Sequence, residues 1–245
     1  MSVAQFGDVE FGDAEFGESI LATLSTPTFV FSTSASLGRI SLAVTNPGTS
    51  PDYNEVWRYE SGQDAKRLTA TLPAGGTFDD YNVASQVTYF YYVRAVQTGG
   101  TFLDSAISST SVTLSANLLH VVAKNASNNY NSTYGVLTLP LMAPIARPSV
   151  RDDRILIEPG RTKPVIATSD IVDRSYEGIL MFAGYPNSDQ STLQRMYDQK
   201  AVYCVRDVKK HLLFGTMAQL RFTYQHTYSQ AELAVLETDY EENVA

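Results

Sequence analysis

Three histidines, one cysteine and two adjacent acid pairs are the residues with the most chemistry to offer in this 245-residue chain. His120, His211 and His226 stand apart, each in a stretch that reads as a strand, and no two have metal-ligand spacing. With Cys204 as the only cysteine there is neither a zinc set nor an internal disulfide. It lies in the apolar run AVYCV, so a buried small hydrophobe is expected rather than a reactive thiol. A G-x-S-x-G nucleophile motif, a phosphate loop and a dinucleotide glycine pattern are all missing. Asp79-Asp80 and Asp152-Asp153 fall at expected turns, where neighbouring acids usually bond to backbone amides or water. A glycosidase needs two carboxylates across a cleft, roughly 5 to 9.5 Å apart, and nothing singles out such a pair. The expectation is a protein that is not an enzyme, with no catalytic residue, no metal and no cofactor.

The elements that carry these residues are mostly strands. RISLAVT alternates Ile40, Leu42 and Val44 with polar residues, then stops at Asn46-Pro47-Gly48. NEVWRYE holds the only tryptophan, Trp57; KRLTATL alternates again; VTYFYYVRAV sets Val87, Tyr89, Tyr91, Val93 and Ala95 on one face; SSTSVTL closes the series. Short strands separated by turns, with no helix, predict a β-sandwich over residues 26–116. Over 117–245, NLLHVVAKN, GVLTLPL, RILIEP, KPVIAT, YEGILMFAG, AVYCVRD, HLLFGTM, AQLRFTYQHTYS and AELAVLETDYEE read as strands. DQSTLQRMYDQK is the one convincing helix, with Leu193, Met196 and Tyr197 on a face and Asp189 or Ser191 as its cap. The fold class is therefore all-β: two β-sandwich domains, the second with one short helix, preceded by an extended acidic arm over 1–25.

That arm repeats one phrase. Phe6, Phe11 and Phe16 are each followed by glycine and an acid. A spacing of five drifts around a helix and switches faces along a strand, and the glycines weaken both states. Exposed rings in a merely solvating leader are poorly explained, so the arm is expected to dock on a neighbouring molecule. The net charge of -8 sits at the ends: residues 1–18 and 222–245 hold ten of the 26 acids and no base, leaving 16 acids against 18 bases in the body. Such ends suit basic protein surfaces better than nucleic acid. No run approaches the roughly 20 apolar residues of a membrane span. The N-terminus has no basic-then-apolar segment, so no secretory signal is expected, and the single cysteine points to assembly in a reducing cytoplasm.

NEVWRYES, TFDDYNV, VTYFYYVRAV and GGTFLDSAISSTSVTL resemble a fibronectin type III domain of the bacterial and phage kind. The resemblance implies that Trp57 is the core tryptophan, that Tyr89 begins the penultimate long strand, and that the last strand starts at Asp104-Ser105. The end of the chain resembles the C-terminal half of minor tail or distal tail (tail-tip) proteins of long-tailed bacteriophages. Arg206 and Asp207, a short basic turn, Phe214 and Gly215 form a hairpin in that pattern, and Glu237, Asp239 and Tyr240 belong to its acidic ending.

The resemblance implies a structural virion protein in a ring at the tail tip, in contact with copies of itself and with tail tube and hub proteins, with no membrane insertion and no nucleic acid. The subunit-contact candidates are Phe6, Phe11 and Phe16 together with Arg147, Arg151, Arg154 and Arg161 of a proline- and arginine-rich stretch. That stretch also contains Asp152, Asp153 and Glu158 and lacks rings for base stacking, which favours protein over nucleic acid. The alternative is a host-surface polysaccharide-binding module displayed on the tail, with Tyr53, Tyr59 and Tyr92 stacking on sugar rings.

Overall fold

The structure is a computed structural model that describes residues 24–48, 50–97, 99–122, 136–140, 149–151, 154–156, 165–167, 172–183, 188–224 and 227–240. At 149–151, 154–156, 165–167, 172 and 173 it describes the backbone alone. Among the described residues the chain is all-β with one helix. Its strands are β1 (Thr28–Ser34), β2 (Arg39–Thr45), β3 (Tyr53–Glu60), β4 (Lys66–Leu72), β5 (Thr77–Asp80), β6 (Tyr89–Gln97), β7 (Thr101–Asp104), β8 (Ser108–Thr110), β9 (Asn117–Val121), β10 (Val136–Leu139), β11 (Ser149–Arg151), β12 (Arg154–Leu156), β13 (Val165–Ala167), β14 (Val172–Ala183), β15 (Tyr203–Arg206), β16 (Leu212–Tyr224) and β17 (Tyr228–Glu237), with helix α1 (Ser188–Gln199) between β14 and β15.

Two antiparallel sheets form the first sandwich, one in the order β1-β2-β5 and one in the order β4-β3-β6-β7, with β8 also on β6. The period-two pattern aims Ile40, Leu42 and Val44 inward from β2, and Tyr89, Tyr91 and Val93 inward from β6, into one core with Val56, Leu68 and Phe78. Burying such side chains contributes on the order of 1.5–3 kcal/mol each. The core also carries an ion pair. Arg58 Nη1 lies 2.7 Å from Asp80 Oδ2, and Tyr91 donates to the same oxygen at 2.8 Å. Burial pushes the Tyr91 phenol well above its ordinary value, with the Asp80 charge adding to the effect.

A seven-stranded antiparallel sheet follows in the order β10-β9-β15-β16-β17-β14-β11, beside a β12-β13 hairpin. The Met181 N–H donates to the Pro140 carbonyl at 2.8 Å, so the β10 end of the sheet returns to β14 and the sheet curls toward closure. Inside the curl lie Leu119, Leu137, Tyr176, Leu180, Tyr203, Val205, Leu233 and Val235, and α1 adds Leu193 and Met196. The helix starts at Ser188, earlier than its expected caps. Asp189 and Ser191 are therefore both inside it, with Asp189 in the first turn where an acid favours the dipole. It ends as Lys200 takes a positive φ of 51°. HLLFGTM and the first part of AQLRFTYQHTYS, expected as two strands, run as the single β16 as far as Tyr224, and the register shift between Met217 and Gln219 absorbs the break in pattern; Tyr228 and Ser229, at the end of that second stretch, open β17 instead. The β15–β16 hairpin anticipated from Arg206-Asp207 to Phe214-Gly215 is present, with Cys204 opposite Phe214. The Phe214 ring also meets Tyr240 at 4.8 Å.

Strands β9 and β15 are covered on both faces. Leu119, Val205 and Tyr203 point into the curled sheet, whereas Leu118 belongs to the sandwich core. His120 and Arg206 face the same way as Leu118. Arg206 is fully buried, and its guanidinium donates to the carbonyls of Gly38, Val83 and Leu37. His120 Nε2 is 2.9 Å from Asn82 Oδ1, and the His120 ring lies 6.0 Å from Tyr81. Burial first, then the Arg206 charge, pushes the His120 pKa well below its ordinary value, so the ring is neutral. The turn between β1 and β2 must come this close, and Gly38 permits it. Its φ is +60°, and a Cβ there would lie 2.5 Å from Leu118 and 2.7 Å from Arg206.

Two outcomes follow from this joint. Gly38→Ala is expected to cost about 2–4 kcal/mol, from a left-handed backbone and overpacking together, read as a lower urea midpoint. For His120 the folded pKa is lowered, so the unfolded chain takes up the proton first. Stability is full above about pH 6.5, the ordinary imidazole value, and falls as pH drops below it. The loss between pH 7 and pH 5 should be smaller in His120→Gln than in the parent; an equal loss would remove His120 as its cause.

Candidate functional site: an aromatic and arginine face on the five-stranded sheet

The residues weighed for catalysis are held in the scaffold. Asp79 and Asp80, successive on β5, project to opposite sides: Asp80 is in the core with Arg58, and Asp79 accepts from Arg39 and Ser41, both at 2.5 Å. Asp207 accepts the backbone N–H groups of Lys209 at 2.8 Å and His211 at 3.1 Å, and lies 3.2 Å from the His211 ring. Cys204 is buried. Among the described residues no group of three or more His, Cys, Asp or Glu is placed to hold a metal. His226, Asp152 and Asp153 lie outside the described residues.

The outer face of the sheet β4-β3-β6-β7 is different. On β3 the even positions Asn54, Val56 and Arg58 turn inward, so Tyr53, Glu55, Trp57 and Tyr59 turn outward. On β6 the inward Tyr89, Tyr91 and Val93 leave Phe90, Tyr92 and Arg94 outside. The register pairs Trp57 with Tyr92, Tyr59 with Phe90 and Tyr53 with Val96. Trp57 and Tyr92 lie 5.7 Å apart with a 9° angle between planes, and Tyr59 and Phe90 are 5.2 Å apart at 17°. Two guanidinium groups frame the rings. Arg94 lies 5.4 Å from the Trp57 centroid and 4.2 Å from Phe102, and Arg67 lies 5.9 Å from Trp57 on the β4 side. Such contacts are worth about 0.5–1 kcal/mol each at exposed sites.

Carboxylates fix the guanidinium groups. Arg94 donates twice to Asp104, at 2.7 and 3.0 Å, and Arg67 donates to Glu55 at 2.9 Å. Glu55 also accepts the Trp57 indole N–H at 3.0 Å, which buries this carboxylate under the ring. Burial pushes the Tyr92 phenol up, partly offset by the Arg94 charge and reinforced by Asp104.

Trp57 is thus not the core tryptophan that the fibronectin resemblance implied. It is half-buried on the opposite face, and Val56 takes the inward place. Asp104 ends β7 rather than opening the last strand, which divides into β7 and β8 along the same edge of β6. Of the sugar-contact candidates, Tyr53, Tyr59 and Tyr92 all lie on this one face. Arg151 lies on β11 and Arg154 on β12, and nothing is described of their side chains. Phe6, Phe11, Phe16, Arg147 and Arg161 lie outside the described residues. Phe90, Arg94, Arg67 and Phe102 were missed. The parity of YFYYVR signals the first two, whereas only the pairing of four strands brings all of them together.

The two kinds of ion pair should behave differently. Arg58→Met leaves Asp80 buried without its cation and is expected to cost about 3–5 kcal/mol. Arg94→Met on the outer face should cost about 1 kcal/mol or less. Paired urea titrations compare them, and equal costs would contradict the assignment of one pair to the core and the other to the surface.

No family model matches this chain, and no curated protein does. Among solved structures, it is similar to a chain of the virion of a native gene transfer agent particle, at 14% identity over 43% of this chain and 85% of that one, with a TM-score of 0.30. It is also similar to a chain of the tail of an empty gene transfer agent particle with C6 symmetry, at 15% identity over 48% of this chain and 96% of that one, with a TM-score of 0.32. Likenesses of this size carry no argument about function.

Proposed function

We propose that this chain is a structural virion component of a tailed bacteriophage, part of a ring at the distal end of the tail. The ring is held by contacts between copies and with neighbouring tail proteins after assembly in the host cytoplasm. The arm over 1–25, the sandwich over 26–116 and the unit over 117–245 divide the work: the arm and the arginine-bearing stretch make contacts, and the two folded parts form the rigid body.

The observation that carries this reading is where the polar chemistry has gone. Asp80, Arg58, His120, Arg206 and Asp207 are buried and bonded within the scaffold, while the outer sheet face displays tryptophan, tyrosine, phenylalanine and arginine. Those four residue types are enriched at protein interfaces. The sequence resemblance to tail-tip proteins points the same way. The polysaccharide reading draws support from Tyr53, Tyr59 and Tyr92 sharing a face. However, Trp57 lies parallel to Tyr92 and is flanked by Arg67 and Arg94, so its ring is already engaged within the protein. That arrangement favours a flat protein contact over sugar stacking. Repeated contacts around a closed ring multiply weak pairwise affinities.

Deleting residues 1–18 should leave the unfolding free energy of the isolated chain, from urea titration, within about 0.5 kcal/mol of the parent while lowering its incorporation into particles, read by immunoblot of purified virions. Normal incorporation would remove the arm from the assembly. A glycan array probed with the full chain tests the alternative, which uniform silence would exclude.

A further inference from the structure

The outer face described above runs out to a free edge. Among the described residues strand β7 pairs only with β6, all four of its residues are exposed, and it carries Phe102 at 50% exposure beside Leu103, with Ile107 at 60% just beyond. Short length is the usual protection of such an edge, but two adjacent apolar side chains, one toward each face, leave it sticky. The Arg67 row has an exposed cationic aspect. The Arg67 side chain is 23% exposed and Glu55 only 8%, so at this pair the cation, not the carboxylate, meets solvent.

The position where the described chain begins points to an occupant. Ser25 lies against Gly48, where a Cβ would come within 2.8 Å of the serine hydroxyl. Gly48 is in the connection from β2 to β3, which enters β3 at Tyr53. Tyr53 pairs with Val96, and Val96 pairs with Phe102. The described chain therefore begins at the end of the sheet where Tyr53, Val96 and Phe102 form a row. Fully extended, the 23 residues before Leu24 span at most ~76–83 Å, enough to cross to a neighbouring molecule. Those residues carry Phe6, Phe11 and Phe16, a glycine after each ring that lets the backbone approach closely, and five carboxylates with no base.

We propose that the outer face of the five-stranded sheet is the receiving surface for the Phe-Gly-acid arm of a second copy of this chain. The phenylalanine rings pack along Trp57, Tyr92 and Phe102, and the arm's carboxylates lie toward Arg67. This rests on the arm acting between copies, and adds the surface it docks on.

The protein contains its own reporter, because Trp57 is the only tryptophan and lies at the centre of the face. The receiver is the full chain with Phe6→Ala, Phe11→Ala and Phe16→Ala, so that its own arms do not compete. The probe is a dye-labelled peptide of residues 1–23. A saturable change in Trp57 emission is expected, matched by label anisotropy and absent for a peptide with the three phenylalanines replaced by alanine. Phe102→Ser or Arg94→Glu in the receiver should weaken binding by about tenfold, equivalent to ~1.4 kcal/mol. Val30→Ser, on the opposite sheet where Val30 is 69% exposed, should leave it unchanged. Binding seen by anisotropy but with Trp57 silent and Phe102→Ser as good as the parent overturns this surface and leaves the arm's role standing. No binding up to millimolar peptide overturns it too, and the 1–18 deletion then decides separately whether the arm has any part in assembly.

Discussion

A fully buried guanidinium holds the two halves of this molecule together. Arg206 projects from β15 of the curled sheet into the turn of the β1–β2 hairpin, where the backbone carbonyls of Leu37 and Gly38 receive it together with that of Val83 from the segment after β5. An arginine taken out of water is costly unless its donors are met, so the position of the hairpin turn is dictated by what the guanidinium needs. Much else follows from that demand. Position 38 has to be glycine, His120 has to be neutral beside a permanent cation, and Asn82 has to face it.

The same joint explains why β9 and β15 look unlike strands at a surface. A strand with one solvated face alternates, but β15 reads Tyr-Cys-Val-Arg with all four residues buried. One face closes the core of the curled sheet and the other closes the sandwich. Leu118 and Leu119, neighbours on β9, belong to different cores for this reason.

Polar groups divide by depth in a way that bears on function. Inside, Asp80 is bonded to Arg58 and Tyr91, and His120 Nε2 to Asn82, all of them buried. Outside, Arg94 and Arg67 are held by carboxylates and by rings at the same time, which sets their orientation without burying them. Preset side chains lose little freedom when a partner arrives. This is the physical basis for regarding the five-stranded sheet as a contact surface.

How much of this was legible beforehand depended on range. Alternation identified the strands Arg39–Thr45 and Tyr89–Gln97, with the inward residues of each, and the three-and-four spacing of Leu193, Met196 and Tyr197 identified the helix. These are local periodicities, set by the geometry of neighbouring residues. The helix cap was misplaced by one to three positions, because the start of α1 depends on what it packs against. Trp57 was misassigned for a related reason: its strand has bulges against β4, and a large aromatic at a core-like spacing can lie on either face until its partners are known. By itself the sequence determined the all-β class, the buried state of Cys204 and the acidic, ring-bearing character of its first residues, since composition and period are properties of the chain alone. Only the tertiary structure decided that Arg206 reaches back across 168 residues to Gly38, and that Trp57, Tyr92, Arg94 and Phe102 share one surface. Those outcomes depend on register and on which sheet meets which, and neither is encoded within any short stretch.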